Sequence, residues 1–334
     1  MSGIKLLVFG DSHIGFDYAV KPKIKRPRRG NDFIDNFNHL IGHTIKNNFD
    51  ILIHLGDVFN RSKPPAVLVD LVFNQFKKVC EAGIPVIIVP GNHERSFLAL
   101  SLFGVHERLK IFTKPDSLNY SIKGIQIGFS GFPFFRGDIR SKFNDIIEEL
   151  KINPGNDINL LLMHHAIDGA QVGIQNYTFK SSEDVIDIAS IPGKFDLVMS
   201  GHIHRTQHLF APSGADIIYP GSIERTSFVE REEKKGFYEI FVNKSDQKII
   251  TRFEELPVRN MYSVTVTDKN KEKLLERLEH IPQHSTLQLV LPSGYDGAVY
   301  EEIKNIEREK LWDRDIMIEY SFRRKRNSDD ANSP

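Results

Sequence analysis

Aspartate, asparagine and histidine recur in this 334-residue chain just beyond short apolar runs: Asp11-Ser12-His13, Gly56-Asp57, Asn92-His93, His164-His165 and His202-Ile203-His204. Carboxylate, amide oxygen and imidazole make a borderline-hard ligand set suited to manganese, iron or zinc, without the thiolates that softer ions prefer. Asp11, His13, Asp57, Asn92, His164, His202 and His204 are seven candidate ligands. That is too many for one tetrahedral site but suits two ions sharing a bridging carboxylate. Two ions ~3.5–4 Å apart clamp the attacking and leaving oxygens of an in-line phosphoryl displacement. Each group alone has a bland reading: Gly56-Asp57 is a turn in which the aspartate bonds its own backbone, and Asp-x-His is a surface loop. Their joint placement at five strand ends points to a dinuclear hydrolase.

The elements that must position these groups follow from hydrophobic patterning. Strands are expected at Ile4–Phe9, Asp50–Leu55, Ile84–Val89, Leu160–Met163 and Asp196–Met199, each a short apolar run opening into one of the polar loops. Another is expected at Gly124–Gly128. Between the first three lie helical patterns: one capped by Asn31 or Asp32 and carrying Phe33, Phe37, Leu40, Ile41, Thr44 and Ile45, and one from Pro64 or Pro65 to Ala82, ended by Gly83. A further helix is expected over Phe97–Leu109. Strand–helix alternation implies parallel βαβ units whose loops share one edge of a sheet, which is where open α/β sheets bind ligands. The helix at 65–82 is apolar on more than one face, with Leu68, Leu71, Val72, Phe76 and Val79 on one and Val69 and Phe73 toward another; the helix at 97–109 is also broadly apolar. A helix lying on a sheet needs one apolar stripe, so the surplus suggests burial by another segment or a second subunit. Residues 21–29 hold six cations and two prolines. They read as a loop, either a solvated excursion or a grip on phosphates. Phe132-Pro133-Phe134-Phe135 reads as core, with base stacking as the functional alternative.

The ordered series Asp11-x-His13, Gly56-Asp57, Gly91-Asn92-His93-Glu94, His164 and Gly201-His202-x-His204 resembles the calcineurin-like metallophosphoesterases. Within that superfamily, Asp11-Ser12-His13-Ile14-Gly15, Gly56-Asp57-Val58-Phe59 followed by Pro64-Pro65, Tyr219-Pro220-Gly221-Ser222-Ile223-Glu224-Arg225, and Lys235-Gly236-Phe237-Tyr238 resemble the SbcD/Mre type of double-strand-break repair nuclease. The resemblance runs from residue 4 to about 323 and is weakest over 136–156. It implies an α/β sandwich of mixed sheets flanked by helices, with a small α+β capping domain. It also implies that Asp11, His13, Asp57 and His204 hold one ion and Asp57, Asn92, His164 and His202 the other, Asp57 bridging. His93 would act on the scissile phosphate without ligating metal, and His164 is favoured over its rival His165. Glu94 stands where aspartate is commoner, a longer arm for orienting His93. The ions would be manganese, and the activity that of a DNA phosphodiesterase, exonuclease and endonuclease, on duplex ends, hairpins or overhangs. The in-class alternative is a phosphatase or cyclic-nucleotide phosphodiesterase; the alternative from another class is a DNA-end tether with structural metals.

Past Pro257 the chain changes character. Met261–Thr267, Thr286–Leu291 and Asp315–Phe322 read as strands and Lys269–His280 and Val299–Leu311 as helices, a β-α-β-α-β unit without ligand-type clusters. This unit resembles the family's DNA-contacting capping domain, the alternative being a domain that only buries an edge of the phosphoesterase sheet. The expected organisation is a nuclease domain over 1–257, a capping domain over 258–323 and a disordered tail over 324–334. The resemblance further implies a homodimer and an SMC-like ATPase partner of SbcC/Rad type. The dozen mostly polar residues after Phe322 supply no amphipathic helix to dock one, so any binding is expected to be weak. Lys plus Arg equals Asp plus Glu at 44 each, so any DNA contact must come from a local patch rather than net charge. The single cysteine, Cys80, rules out an internal disulfide and suits a reducing compartment. With no run of membrane-span length, the expected location is intracellular, in a prokaryote or virus the cytoplasm and its nucleoid.

Overall fold

The structure, a computed structural model, describes residues 3–19, 25–94, 106–173, 176–180, 182–267, 271–291 and 297–322. It divides into two compact units, one of Met1–Tyr18 with Arg29–Val258 and the other of Ala19–Arg28 with Arg259–Pro334.

In the larger unit, β1 (Gly3–Phe9), α1 (Gly30–Lys46), β2 (Ile51–His54), α2 (Ala66–Glu81), β3 (Val86–Ile88) and β4 (Leu109–Ile111) follow in order. These four strands are parallel neighbours. Next come β5 (Asp116–Ile122), β6 (Ile125–Gly131), α3 (Ile139–Glu149), β7 (Ile158–Met163), four two-residue strands β8 to β11 between Ala166 and Ile186, β12 (Leu197–Ser200), β13 (Gln207–Phe210), β14 (Asp216–Tyr219), β15 (Gly236–Asn243) and β16 (Ile249–Glu255). The main strands form two six-stranded mixed sheets, in the orders β16-β15-β1-β2-β3-β4 and β13-β14-β12-β7-β6-β5. The sheets face each other across one core. Leu6, Val8, Ile51, Ile53 and Ile87 from the first interleave with Ile127, Phe129, Leu160, Leu162 and Met199 from the second. Helices α1 and α2 cover the outer face of the first sheet through Phe33, Phe37, Leu40, Val72 and Phe76. Helix α3 covers the second through Phe143, Ile146 and Ile147. The fold is thus the expected α/β sandwich of mixed sheets, with the five strands that carry the candidate ligands shared between two sheets rather than lined up in one.

Several boundaries move, for physical reasons. Helix α1 starts at Gly30, ahead of Asn31 and Asp32, and has no side-chain cap; Asp32 is buried in its first turn. Most of the expected 97–109 helix lies outside the described residues, and Leu109 instead opens strand β4. The unread stretch over 136–156 contains α3, whose cap is Asp138 accepting from the Ser141 N–H at 3.0 Å. The surplus apolar face of α2 is partly used within the chain: Val69 is buried, and Leu71 and Phe73 are half-buried on the same core, leaving Val67 exposed. Cys80 is buried in that core.

The smaller unit contains β17 (Asn260–Thr265), α4 (Lys271–Glu279), β18 (Ser285–Leu291), α5 (Gly297–Ile306) and β19 (Ile316–Phe322), the strands parallel in that order. The expected helix to Leu311 loses α-geometry at Glu307, where a π-helical turn and a 3₁₀ turn lead to Asp315. Leu274, Leu278, Leu287, Leu289, Ile303 and Ile316 form its core. The expected tail over 324–334 lies outside the described residues. Among the described residues no helix is long and apolar enough to cross a membrane.

Candidate metal centre

The two sheets bring the carboxyl ends of β1, β2, β3, β7 and β12 to one place. The loops beyond them are welded as the strands are: the Asp11 N–H bonds the Gly56 carbonyl (2.8 Å), His13 bonds Asp57 (2.9 Å) and Gly201 bonds Met163 (3.1 Å). Asp11 (φ 49°), His13 (φ 42°), Asp57 (φ 50°) and His202 (φ 80°) sit in left-handed backbone conformations. Such residues cost ~1–3 kcal/mol each and persist where surrounding structure holds them. Gly56, at φ 95°, also lets the His164 ring close in: a β-carbon there would lie 2.4 Å from His164 Nδ1.

The seven candidate ligands all arrive at this rim. His13 Nε2 lies 3.0 Å from His204 Nε2, and His204 Nε2 lies 3.8 Å from Asp11 Oδ1. Asn92 Oδ1 faces His202 Nδ1 at 2.9 Å and His164 Nε2 at 3.1 Å. Asp57 Oδ2 lies between the two groups, 3.5 Å from His164 Nε2 and 4.0 Å from His13 Nε2. Three overlapping sets of ligand atoms, Asp11/His13/His204, Asp11/Asp57/His164 and His13/Asp57/His93, each lie within 4.8 Å of one another. His13 Nδ1 is buried without a hydrogen-bond partner. Imidazole lone pairs and carboxylate oxygens that face mainly one another form a donor set suited to cations.

The electrostatics are those of a site suited to added positive charge. Burial favours a neutral Asp57, but His164, His13 and His93 outweigh it and hold its carboxyl far below the ordinary range. Burial pushes Asp11 up to about 6 against His164 and His204. His164 is lowered by burial but lifted further by Asp57 and Asp11, to about 9. Burial and His164 depress His202 to about 3, and burial and His204 keep His13 well below its usual value, so both offer lone pairs. His164 is oriented from behind, where its Nδ1 donates to the Leu55 carbonyl at 2.6 Å and turns Nε2 toward the centre. The buried His54 supports the floor, bridging Ser12 Oγ (2.8 Å) and the Gly56 N–H (3.2 Å).

His93 sits at the edge, its Nδ1 2.9 Å from the Asn60 carbonyl and its Nε2 3.8 Å from Asp57 Oδ2. Glu94 does not orient it, contrary to expectation. The Glu94 carboxylate is buried and accepts the N–H groups of Asp57 (2.9 Å), Phe59 (3.0 Å) and Gly91 (2.8 Å), stapling two of the loops together. His165 turns away, accepting from the Phe135 N–H (3.0 Å) and stacking on Phe134 at 4.7 Å. Phe132 is core, whereas Phe134 also borders His202 at 5.7 Å. In the 21–29 stretch, residues 21–24 lie outside the described residues. Arg29 is buried, its guanidinium over the Phe16 ring and bonded to the Arg225 carbonyl, so it is structural rather than a phosphate contact.

Sequence reasoning missed two features. A cavity of about 550 Å³ beside the centre is lined by Asn60, Arg61, Ser62, Lys63, Asn92, His93 and Arg136. Its three cations are exposed and have no carboxylate partner among the described residues. Glu230 is the second, its Oε1 3.1 Å from His204 Nδ1. Nothing marks it in the run Glu230-Arg-Glu-Glu-Lys-Lys235.

The pattern of the calcineurin-like phosphoesterase family matches residues 4–206. The DNA double-strand break repair protein Mre11 of Sulfurisphaera tokodaii is 28% identical over 287 residues, 83% of this chain and 69% of that protein. The protein of the same name in Methanocaldococcus jannaschii is 27% identical over 331 residues, covering 93% and 82%. The SbcD component of the SbcCD nuclease of Staphylococcus epidermidis is 24% identical over 252 residues, covering 70% and 66%.

Proposed function

We propose, from the premise that the chain belongs to the calcineurin-like phosphoesterases, that it is a two-metal DNA phosphodiesterase working as a nuclease in DNA-break repair. The observation that carries this reading is the cavity in which His93 and Asn92 meet the exposed cations Arg61, Lys63 and Arg136. Cations ranged beside a phosphoryl site suit a polyanionic strand that continues past the scissile bond, because each neutralised phosphate releases condensed counterions. The names of the relatives support the same substrate.

Asp11, His13, Asp57 and His204 would hold one cation and Asp57, Asn92, His164 and His202 the other, manganese being our choice of metal for this donor set. Bound there, the pair supplies Lewis acidity toward the phosphate and a lowered pKa for water. The protein's own groups do the rest. Glu94 and the β1–β2 loop hydrogen bonds hold Asp57 and Asn92 in place before substrate arrives. His93, its Nδ1–H given to the Asn60 carbonyl, presents Nε2 toward the reacting phosphate and its leaving oxygen. Arg61, Lys63 and Arg136 hold neighbouring phosphates, and Phe134 offers a ring face beside His202. We further propose a homodimer through α2, where Val67 is exposed, and association with an SMC-like ATPase of SbcC/Rad type.

Labelled linear duplex incubated with Mn²⁺, Mg²⁺ or chelator, run beside a generic phosphatase substrate, tests the reading. Metal-dependent cleavage of duplex is expected. Turnover of the phosphatase substrate alone would move the chain to the phosphatase or cyclic-nucleotide class, and DNA retention without cleavage would make it a tether.

A further inference from the structure

Behind His204 lies a buried charged network that the proposed chemistry does not use. Glu230 Oε1 is 3.1 Å from His204 Nδ1, and the same carboxylate takes the Thr226 N–H (3.1 Å) and hydroxyl. Its other oxygen is 2.7 Å from the ammonium of Lys235, whose side chain is fully buried. That ammonium also bonds the His204 carbonyl at 2.8 Å and Glu233 at 3.1 Å, and Arg205 Nε meets Glu233 at 3.0 Å. One lysine thus braces both the carboxylate and the backbone of the histidine that carboxylate touches. His164 and His93 rest on backbone carbonyls instead. A buried ion pair is a poor way to gain stability, since apolar packing of similar volume does as well or better. What apolar packing cannot do is fix an imidazole tautomer.

We infer that Glu230, braced by Lys235, is a positioning residue that keeps the proton of His204 on Nδ1 and aims the Nε2 lone pair at the cation shared with Asp11 and His13. The inference rests on the two-metal reading above. Carboxylates in this position orient the ring and raise its basicity, and losing them costs about 10–100-fold in metal affinity. Glutamine cannot replace Glu230. With its oxygen toward Lys235 it turns an NH₂ at Nδ1 and favours the opposite tautomer; with its oxygen toward Nδ1 it sets the NH₂ against an ammonium. Glu233 shares the lysine but not the histidine, so Glu233→Gln loosens the same network without touching the ring.

Calorimetric titration of Mn²⁺ into the chelator-stripped full chain distinguishes these roles, with thermal melting of each stripped variant alongside. Wild type is expected to take up two ions. Glu230→Gln should weaken one of the two steps by about 10–100-fold and leave the other near its wild-type value. Lys235→Met should show a smaller loss on the same step, and it carries the test if Glu230→Gln does not fold. Glu233→Gln should melt lower yet bind both ions normally. Two normal steps in Glu230→Gln or Lys235→Met, or an equal loss in Glu233→Gln, would make the network a structural staple and overturn the inference. A wild type that binds no Mn²⁺ would instead refute the metal reading on which it stands.

Discussion

Replacing Glu94 with glutamine should cost folding stability while leaving turnover of the folded, metal-loaded enzyme unchanged. The carboxylate accepts three backbone N–H groups, from Asp57 and Gly91 on one oxygen and from Phe59 on the other, at 2.8–3.0 Å. A glutamine keeping its oxygen toward Asp57 and Gly91 must point its NH₂ at the Phe59 N–H. One hydrogen bond disappears and one buried donor is left unpaired, a cost of about 1–3 kcal/mol. Alanine orphans all three donors and should cost more. Guanidinium unfolding with metal chelated reads the stability, and DNA cleavage at saturating Mn²⁺, normalised to metal content, reads the chemistry. An unchanged unfolding midpoint together with a tenfold or greater fall in turnover, on the order of a general-acid effect, would refute the reasoning. It would mean that Glu94 acts on His93 after all, despite the Asn60 carbonyl that holds that ring.

His93→Ala should retain metal and DNA binding and lose about 10²–10⁴-fold in turnover; loss of bound metal, by elemental analysis, would make His93 a ligand. Neutralising Arg61, Lys63 and Arg136 together should flatten the salt dependence of DNA binding by about 0.9 in log–log slope for each phosphate no longer neutralised, and an unchanged slope would place the DNA elsewhere. Mn²⁺ affinity should rise with pH. Asp57 and Asp11 outweigh burial and lift His164 to about 9, so below that value a cation must displace a proton, at a cost of about tenfold in affinity per pH unit. A flat profile between about pH 6 and about pH 9 would contradict that protonation state.

What could be read in the sequence was what is local. A buried parallel strand is a continuous apolar run, and Gly56-Asp57 or Gly201-His202 announces a sharp turn with a candidate ligand on it, so the candidate site residues stood out without knowledge of the pairing. The division of their strands between two sheets was not legible, because register across 100 residues or more, as between Phe9–Asp11 and Gly201–His202, leaves no local mark. Edge strands such as β5 and β13 mix half-buried and exposed residues and carry no continuous apolar signal. Charged residues gave the weakest signal. Arg29 stands in a basic run read as a solvated or phosphate-gripping loop, and Glu230 stands in a mixed run that nothing singled out, yet both are buried among partners that come from distant turns or from the backbone. Glu94 follows His93 directly, but its carboxylate bonds back to the loop of Asp57, a contact that adjacency in sequence does not suggest.

In the proposed mechanism one carboxylate, Asp57, joins two cation sites into a single catalytic centre. Metal content per chain, measured by elemental analysis after dialysis from Mn²⁺ for wild type and Asp57→Ala in parallel with duplex cleavage, tests that role most directly. Two ions are expected for wild type, and near-complete loss of both ions and of hydrolysis in Asp57→Ala. A variant that still holds both ions, or cleaves DNA at the wild-type rate, would contradict it.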